Sequence, residues 1–195
     1  NDLRSSFVRV AHTLAKTASD ALPKTFRAEL LESSRRWPTD REVLRLGIDS
    51  PLYRKKPTFP FFILTELARQ LQGKEAPTMR LGKEKTNWSV EHVLPQTVDE
   101  ASAWKTLFPD LDEHSYWTHR IANLVFLTRR INTRASNWDF KKKKREYFAS
   151  KDGTSPFPLT QGVLQAEDWS PRHLKDRQEK LIEKLGEIWA LQPNL

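Results

Sequence analysis

Two stretches of sequence decide the fold, WSVEHVL at residues 88–94 and NLVFLT at residues 123–128. Both are short and contain the β-branched and aromatic residues that favour strands, so each predicts one strand. Pro95 ends the first strand, because proline lacks the N–H donor that a sheet ladder needs. Two short helices are expected between the strands, and a longer helix over about residues 132–150 follows the second strand.

Helical patterns occupy the rest of the chain. Apolar residues at steps of three and four predict one amphipathic helix over residues 3–18 and another over 59–71. Ser170 as N-cap and Pro171 at the first helical position predict a C-terminal helix. The expected fold class is α+β, a mostly helical domain with an embedded strand–strand–helix motif.

The same patterns divide the chain into three parts. We expect residues 1–85 to be a helical N-terminal part or a linker to an upstream domain outside this chain. Residues 86–150 hold the strand–strand–helix core, and residues 151–195 form a loop and a helix that packs on it. Because the chain begins with Asn rather than Met and shows no signal peptide, we expect a piece of a longer intracellular protein.

Composition excludes several function classes. The 195 residues include no Cys, so disulfide bonds, thiol catalysis and Cys-ligated zinc sites are excluded. The sequence contains no run of about 18 apolar residues, so no transmembrane helix is predicted. It also contains no GxxxxGK[ST] phosphate-binding loop.

The net charge of +8 is concentrated in one stretch of the chain. Residues 120–151 hold ten Lys and Arg against two acidic residues, whereas the rest of the chain holds equal numbers of both. Such concentration indicates a polyanionic partner. The alternative is a solvated helix face, which is an equally common role for a lysine run.

Glu91 and His92 are adjacent near the end of the first predicted strand. Neighbours on a strand point to opposite faces, so both can serve one site only where the backbone bends, as it can before Pro95. A carboxylate suits a hard cation, and an imidazole is a base that titrates near neutral pH. An isolated pair of this kind is more often an exposed Glu beside a capping His, so the pair alone does not decide its role.

Five short motifs nevertheless follow one another in a characteristic order. They are EHVLP from Glu91, ANL from Ala122, Asn132, Ser136-Asn137, and Phe140 with the run Lys141–Lys144. This combination resembles the HNH nucleases, and within them the C-terminal nuclease domain of the GmrSD-type, modification-dependent restriction enzymes. Ala122 stands where that family usually has Gly. WPTDREVLR from Trp37 and the terminal helix extend the resemblance over most of the chain beyond residue 35.

The resemblance implies a ββα-metal (HNH) motif and a role for each of four residues. His92 would be the general base that takes a proton from water, because its ordinary pKa of about 6.5 leaves much of it neutral at pH 7. Glu91 and Asn132 would bind one divalent cation through oxygen, Mg²⁺ by preference and Mn²⁺ as a substitute. Asn123 would tie down the loop that carries the histidine.

Basic side chains close to Asn132 are then expected to contact backbone phosphates of DNA. Arg suits planar bidentate contact, whereas Lys acts as a point charge. Four consecutive lysines spread around a helix, so only one or two can face a bound strand. The residues expected to bind nucleic acid are Arg129, Arg130, Arg134, Lys142 and Lys143.

His119 has two alternative roles. It lies four residues before Asn123 and could approach the same site as a second catalytic histidine. A histidine that packs in the core or caps a helix is the more common case, and the sequence leaves both roles open.

The resemblance implies a metal-dependent DNA endonuclease or nickase that leaves a 5′-phosphate and a 3′-hydroxyl. Its expected setting is the bacterial or archaeal cytoplasm, in anti-phage restriction, with an N-terminal nucleotide-hydrolysing sensor domain as partner and no membrane. One alternative is a catalytically silent nucleic-acid-binding domain on the same fold. Another is a helical module whose basic helix binds an acidic protein.

Overall fold

The computed structural model divides into two compact units, Asn1–Thr39 and Asp40–Leu195. The structure describes residues 11–13, 15–16, 18, 21, 24–25, 28, 39–55, 58–72, 88–129, 131–132, 137–145, 149–150, 153–154 and 157–191. In the first unit, residues 11–13 are helical, and most of the helix predicted over residues 3–18 lies outside the described residues. The second unit begins well before the boundary expected near residue 86.

Helices dominate the described part of the second unit. They are α1 (Asp40–Glu42), which continues as a π-helical segment (Val43–Ile48), α2 (Leu52–Lys55), α3 (Thr58–Gln72), α4 (Ala103–Leu107), α5 (Leu111–Thr118), α6 (Phe140–Lys143), α7 (Pro158–Gln165) and α8 (Pro171–Ile188). The strands are β1 (Trp88–His92), β2 (Leu124–Thr128), β3 (Ala149–Ser150) and β4 (Gly153–Thr154). Within the described residues, no helix has both the length and the apolarity needed to cross a bilayer.

The two predicted strands form one antiparallel pair. Trp88 lies opposite Thr128, and His92 lies opposite Leu124. β1 ends at His92 rather than at residue 94. The N–H of Val93 still donates to the backbone oxygen of Asn123 at 3.0 Å, but the N–H of Leu94 donates to the side-chain oxygen of Asn123 at 2.6 Å. Beyond the end of β1, Asn123 in the short turn before β2 therefore provides hydrogen bonds in place of a strand.

Helices α3 and α7 supply the apolar faces that bury this strand pair, and α8 packs on α3 and on the turn before β2. The exposed fraction of the Phe126 side chain in β2 is 1%. The fully buried side chains of these helices include Ile63 and Leu67 of α3, Val163 of α7 and Leu185 of α8. Burying side chains of this size contributes about 1.5–3 kcal/mol each relative to exposure. A small sheet packed against helices confirms the α+β class.

The single helix predicted over residues 132–150 is wrong. Residues 137–139 are not helical, and Ala149–Ser150 pairs with β4 as a strand. Asp139 holds an extended ψ of 154° at the N-cap of α6, and its Oδ1 accepts from the N–H of Ala103 at 3.1 Å and the Ser102 hydroxyl at 2.5 Å. The helix restarts at Phe140 because Asp139 is held at the beginning of α4.

The C-terminal helix begins as the sequence predicts. Ser170 is the N-cap of α8, its Oγ accepts from the N–H of His173 at 3.3 Å, and Pro171 follows. The loop expected from residue 151 onward is shorter than predicted, since it contains β4 and the first turns of α7.

Candidate active site

The last two residues of β1 carry the two candidate chemical groups. Glu91 and His92 are each only 6% exposed. Their side chains leave the strand on opposite sides, as strand geometry requires. Glu91 contacts α6, whereas His92 contacts the region of α2 and the end of α5. The two groups are adjacent in sequence but have different surroundings.

Glu91 forms a buried ion pair with Lys143 of α6. The Nζ of Lys143 donates to Oε1 of Glu91 at 2.8 Å and to the backbone oxygen of His92 at 2.8 Å. Burial raises the pKa of the Glu91 carboxyl, and the ammonium beside it acts in the opposite direction. Burial likewise lowers the pKa of Lys143, which the carboxylate opposes. Each charge therefore depends on the other to remain ionised away from water.

The position of Lys143 corrects its predicted role as a phosphate contact. Its side chain is 1% exposed and directed at Glu91, so no nucleic acid can reach it in this arrangement. Lys143 follows the buried Phe140 by three residues, and residues three apart share a helix face. Lys142 lies on the exposed side, with its Nζ 3.6 Å from the ring centroid of Trp138.

His92 lies in a cluster of aromatic rings. Its Nε2 is 3.3 Å from Nδ1 of His119, and its Nδ1 is 3.5 Å from Nε2 of Gln96. Tyr53 of α2 meets the His92 ring edge-on, with centroids 4.4 Å apart, and stacks on His119 at 6.0 Å. His119 thus ends α5 as its C-cap residue and also lies beside His92.

Burial keeps the His92 ring neutral. It lowers the pKa of His92 to about 3, and the nearby charges of His119 and Lys143 act in the same direction. Burial also lowers the pKa of His119, followed by the charge of Arg54. A neutral imidazole retains one nitrogen lone pair, which is the feature that a general base uses.

Asn123 holds the end of β1 in place through its side-chain amide. Its Oδ1 accepts from the N–H of Leu94 at 2.6 Å and from the indole Nε1 of Trp169 at 3.0 Å. Its Nδ2 donates to the backbone oxygens of Leu94 at 2.8 Å and Thr118 at 2.9 Å. With 0% exposure, this amide joins the segment after His92 to the residue before His119.

Asn132 lies against β1, on the strand that carries Glu91. Its Nδ2 donates to the hydroxyl of Ser89 at 2.7 Å and to the backbone oxygen of Val90 at 3.1 Å. Ser89 and Glu91 are two residues apart and therefore point to the same face of the strand. Among the described residues, the amide nitrogen of Asn132 binds β1, and its oxygen is the atom with the chemistry to ligate a hard cation.

The donor set has the right chemistry for a hard divalent cation, although it is small. Within the described ranges, no group of three or more His, Asp or Glu side chains could hold a metal ion. Glu91 and Asn132 offer one carboxylate and one amide oxygen, and Mg²⁺ commonly uses one or two carboxylates and keeps several waters. The ammonium of Lys143 already contacts Glu91 and would share that carboxylate with a cation.

The predicted nucleic-acid contacts are partly described by the structure. Arg129 at the end of β2 and Lys142 on α6 are exposed. Arg130 and Arg134 lie outside the described residues. A role for these four residues in binding DNA stays a prediction.

Four neighbours of the candidate site were not predicted from the sequence. Tyr53, Gln96 and Trp169 carry no local signal, because each reaches the site through tertiary packing. The pairing of Lys143 with Glu91 could have been suspected from its three-residue spacing after an apolar Phe140.

The fold and the site together define a class of protein. A carboxylate, a neutral imidazole and an exposed basic surface on a small α+β domain are the parts expected of a phosphodiester hydrolase. Residues 37–184 match the family described as GmrSD restriction endonucleases, C-terminal domain, and the chain belongs to this family. The predicted family is confirmed, and the chain is related to the nuclease domains of restriction endonucleases. No curated protein and no solved structure matches it.

Replacing Lys143 by Met should leave the Glu91 carboxylate buried without its ammonium. Removing one partner of a buried ion pair costs about 3–5 kcal/mol, so we expect a loss of that order in the free energy of unfolding. Urea denaturation measures it. Lys141→Met on the exposed side of α6 is the matched control and should change little. A loss below about 1 kcal/mol for Lys143→Met would show that the pair is not maintained in solution.

Acid should destabilise the domain through His92. Its pKa of about 3 in the folded state lies below the ordinary value of 6.5, so the unfolded chain binds the proton more tightly between these limits. The free energy of unfolding should therefore fall as pH drops from about 6.5 toward 3. Urea denaturation across this range should give a shallower slope for His92→Gln than for the parent. His12→Gln, at an exposed histidine, should keep the parent slope.

Proposed function

We propose that this domain is a metal-dependent, HNH-type DNA endonuclease or nickase. One observation carries the proposal, the arrangement of all four motif residues around β1: the strand holds Glu91 and His92, Asn132 binds it at Ser89 and Val90, and Asn123 binds Leu94 just after it. β1 and β2 would be the two strands of the ββα-metal motif, and Asn132 would begin its helical part.

His92 would activate the attacking water. A lone pair on its neutral ring would take one proton while the water oxygen bonds to phosphorus. The 3′ oxygen would leave with the electron pair of its bond to phosphorus and take a proton from solvent. The products would be a 5′-phosphate and a 3′-hydroxyl. Asn123 would serve as a positioning residue, because its amide binds Leu94 in the segment after His92 through two hydrogen bonds and joins it to Thr118 and Trp169 through two more.

Glu91 and Asn132 would hold the divalent cation, Mg²⁺ by preference and Mn²⁺ as a substitute. When bound, such a cation polarises the phosphodiester and stabilises charge on the leaving oxygen. Lys143 would orient Glu91 toward the site through its 2.8 Å ion pair. The same pair leaves Glu91 partly neutralised, so we expect cation binding to be weak until phosphate oxygens add ligands.

The exposed basic residues would bind the DNA backbone. Arg129 follows β2 and lies near Asn132 in sequence, and Lys142 projects from α6 beside Trp138. Arg130 and Arg134 are proposed for the same role from the sequence. Phosphate contacts fix position without reading bases, so we expect little sequence specificity from this domain.

The proposed setting is defence against phage in the bacterial or archaeal cytoplasm. An N-terminal nucleotide-hydrolysing sensor domain of the same protein or complex would recognise modified DNA and control cleavage. This part of the proposal is supported by the family alone.

A second function is favoured by the Glu91–Lys143 ion pair. A carboxylate that is already neutralised by an ammonium has less need of a cation, which suits a catalytically silent nucleic-acid-binding domain on the same fold. The two functions differ in whether a phosphodiester is cut, so one assay separates them.

Nicking of supercoiled plasmid with Mg²⁺ or Mn²⁺ tests the nuclease. His92→Ala should reduce cleavage by about 100-fold or more, because a general base contributes 10²–10⁴-fold. Binding of the same DNA should be nearly unchanged. His12→Ala is the control and should cut like the parent. Equal cleavage by His92→Ala and the parent would disprove the mechanism, and binding without cleavage by the parent would support the silent domain.

Salt dependence of DNA binding tests the basic surface. The double variant Arg129→Ala/Arg130→Ala should weaken binding and flatten the dependence of log K on log salt, with each lost phosphate contact reducing the slope by about 0.9. Lys175→Ala/Lys180→Ala removes two exposed charges from α8 and should leave the slope unchanged. If the two double variants behave alike, the contact surface lies elsewhere.

A further inference from the structure

Two buried imidazoles share one hydrogen bond next to the proposed catalytic group. The distance from Nε2 of His92 to Nδ1 of His119 is 3.3 Å, and the two rings are perpendicular. Such a contact needs a proton on one nitrogen and a lone pair on the other. The tautomer of one ring therefore determines the tautomer of its neighbour.

The orientation of a third partner, Gln96, indicates which nitrogen carries the proton. The side-chain amide nitrogen of Gln96 is 3.5 Å from Nδ1 of His92, and an amide nitrogen only donates. Nδ1 of His92 must then be the acceptor. A neutral ring with a bare Nδ1 carries its proton on Nε2, which donates to Nδ1 of His119. This tautomer satisfies both contacts of the His92 ring.

The two nitrogens of His92 also differ in access. Nε2 faces His119, which is 7% exposed and stacked against Tyr53. Nδ1 faces Gln96, an exposed residue just after Pro95. Nδ1 is therefore the nitrogen on the solvent side of the ring, and a water molecule that reaches it would replace the 3.5 Å contact with Gln96.

His119 is held firmly enough to impose a tautomer on its neighbour. The backbone oxygen of the preceding residue, Thr118, accepts a hydrogen bond from the side-chain amide of Asn123 at 2.9 Å. Its own backbone oxygen accepts from the N–H of Tyr53 at 3.3 Å. The backbone that carries the ring is thus held on both sides.

We propose that His119 is a positioning residue that fixes His92 as the Nε2–H tautomer, so that Nδ1 is the nitrogen that takes the proton from water. The inference rests on the proposed function for its catalytic meaning. The tautomer itself is a property of the resting protein. It can be measured without metal or DNA.

The first test is nitrogen NMR of the histidine rings in the metal-free, DNA-free protein at neutral pH. Couplings to the ring carbons identify the protonated nitrogen of His92, which is assigned by comparison with His92→Gln. We expect a proton on Nε2 and a bare Nδ1 in the parent. A proton on Nδ1 would overturn the proposal, whether or not the domain cuts DNA.

The second test replaces the acceptor. Asn places its side-chain oxygen where Nδ1 of histidine lies, so His119→Asn should keep the Nε2–H tautomer. His119→Leu should give a mixture of His92 tautomers. If the Leu variant does not fold, His119→Gln replaces it and should give the same mixture. An unchanged tautomer in these variants would show that His119 does not set it.

Plasmid cleavage then connects the tautomer to activity. With Mg²⁺, His119→Leu should lower kcat at least about tenfold with little change in KM for DNA, and His119→Asn should restore most of it. Equal loss in both variants would assign His119 a packing role and overturn its positioning role. If the parent does not cut DNA, the proposed function fails, while the NMR result still decides the tautomer.

Discussion

The buried amide of Asn123 is the constraint on which the site depends. A side-chain amide taken out of water costs several kcal/mol unless its hydrogen bonds are replaced. Here all of them are replaced, by Leu94, Thr118 and Trp169. Because these partners come from three separate segments, a single residue brings together the end of β1, the end of α5 and the loop before α8. The positions of His92 and His119 follow from that junction.

Charge at the site is arranged on the two sides of β1. On one side, Glu91 and Lys143 are ionised together, since neither would stay charged alone at this depth. On the other side, two histidines are kept neutral by burial. The strand thus separates a charged pair from a neutral pair of histidines. The separation arises because Glu91 and His92 are neighbours on a strand, so their side chains point to opposite faces.

The sequence was a good guide where local rules apply. Both strands, the start of α8 at Ser170 and the family were predicted, because strand-forming residues, an N-cap and motif order are all local signals. It failed where a distant contact overrides helix propensity. Asp139 interrupts the expected long helix by binding the beginning of α4, thirty-six residues away in the chain.

The sequence by itself determined which chemical groups are available, and it ordered them along two short strands. Only the tertiary structure decided their partners. Lys143 belongs to a lysine run, a pattern typical of an exposed helix surface. Its side chain is nevertheless buried, because it shares a helix face with Phe140. His119 reads as a helix cap, yet it also reaches His92 because Asn123 holds Thr118. Hydrogen bonds between distant segments form only when the core closes, and they carry no signature in local sequence.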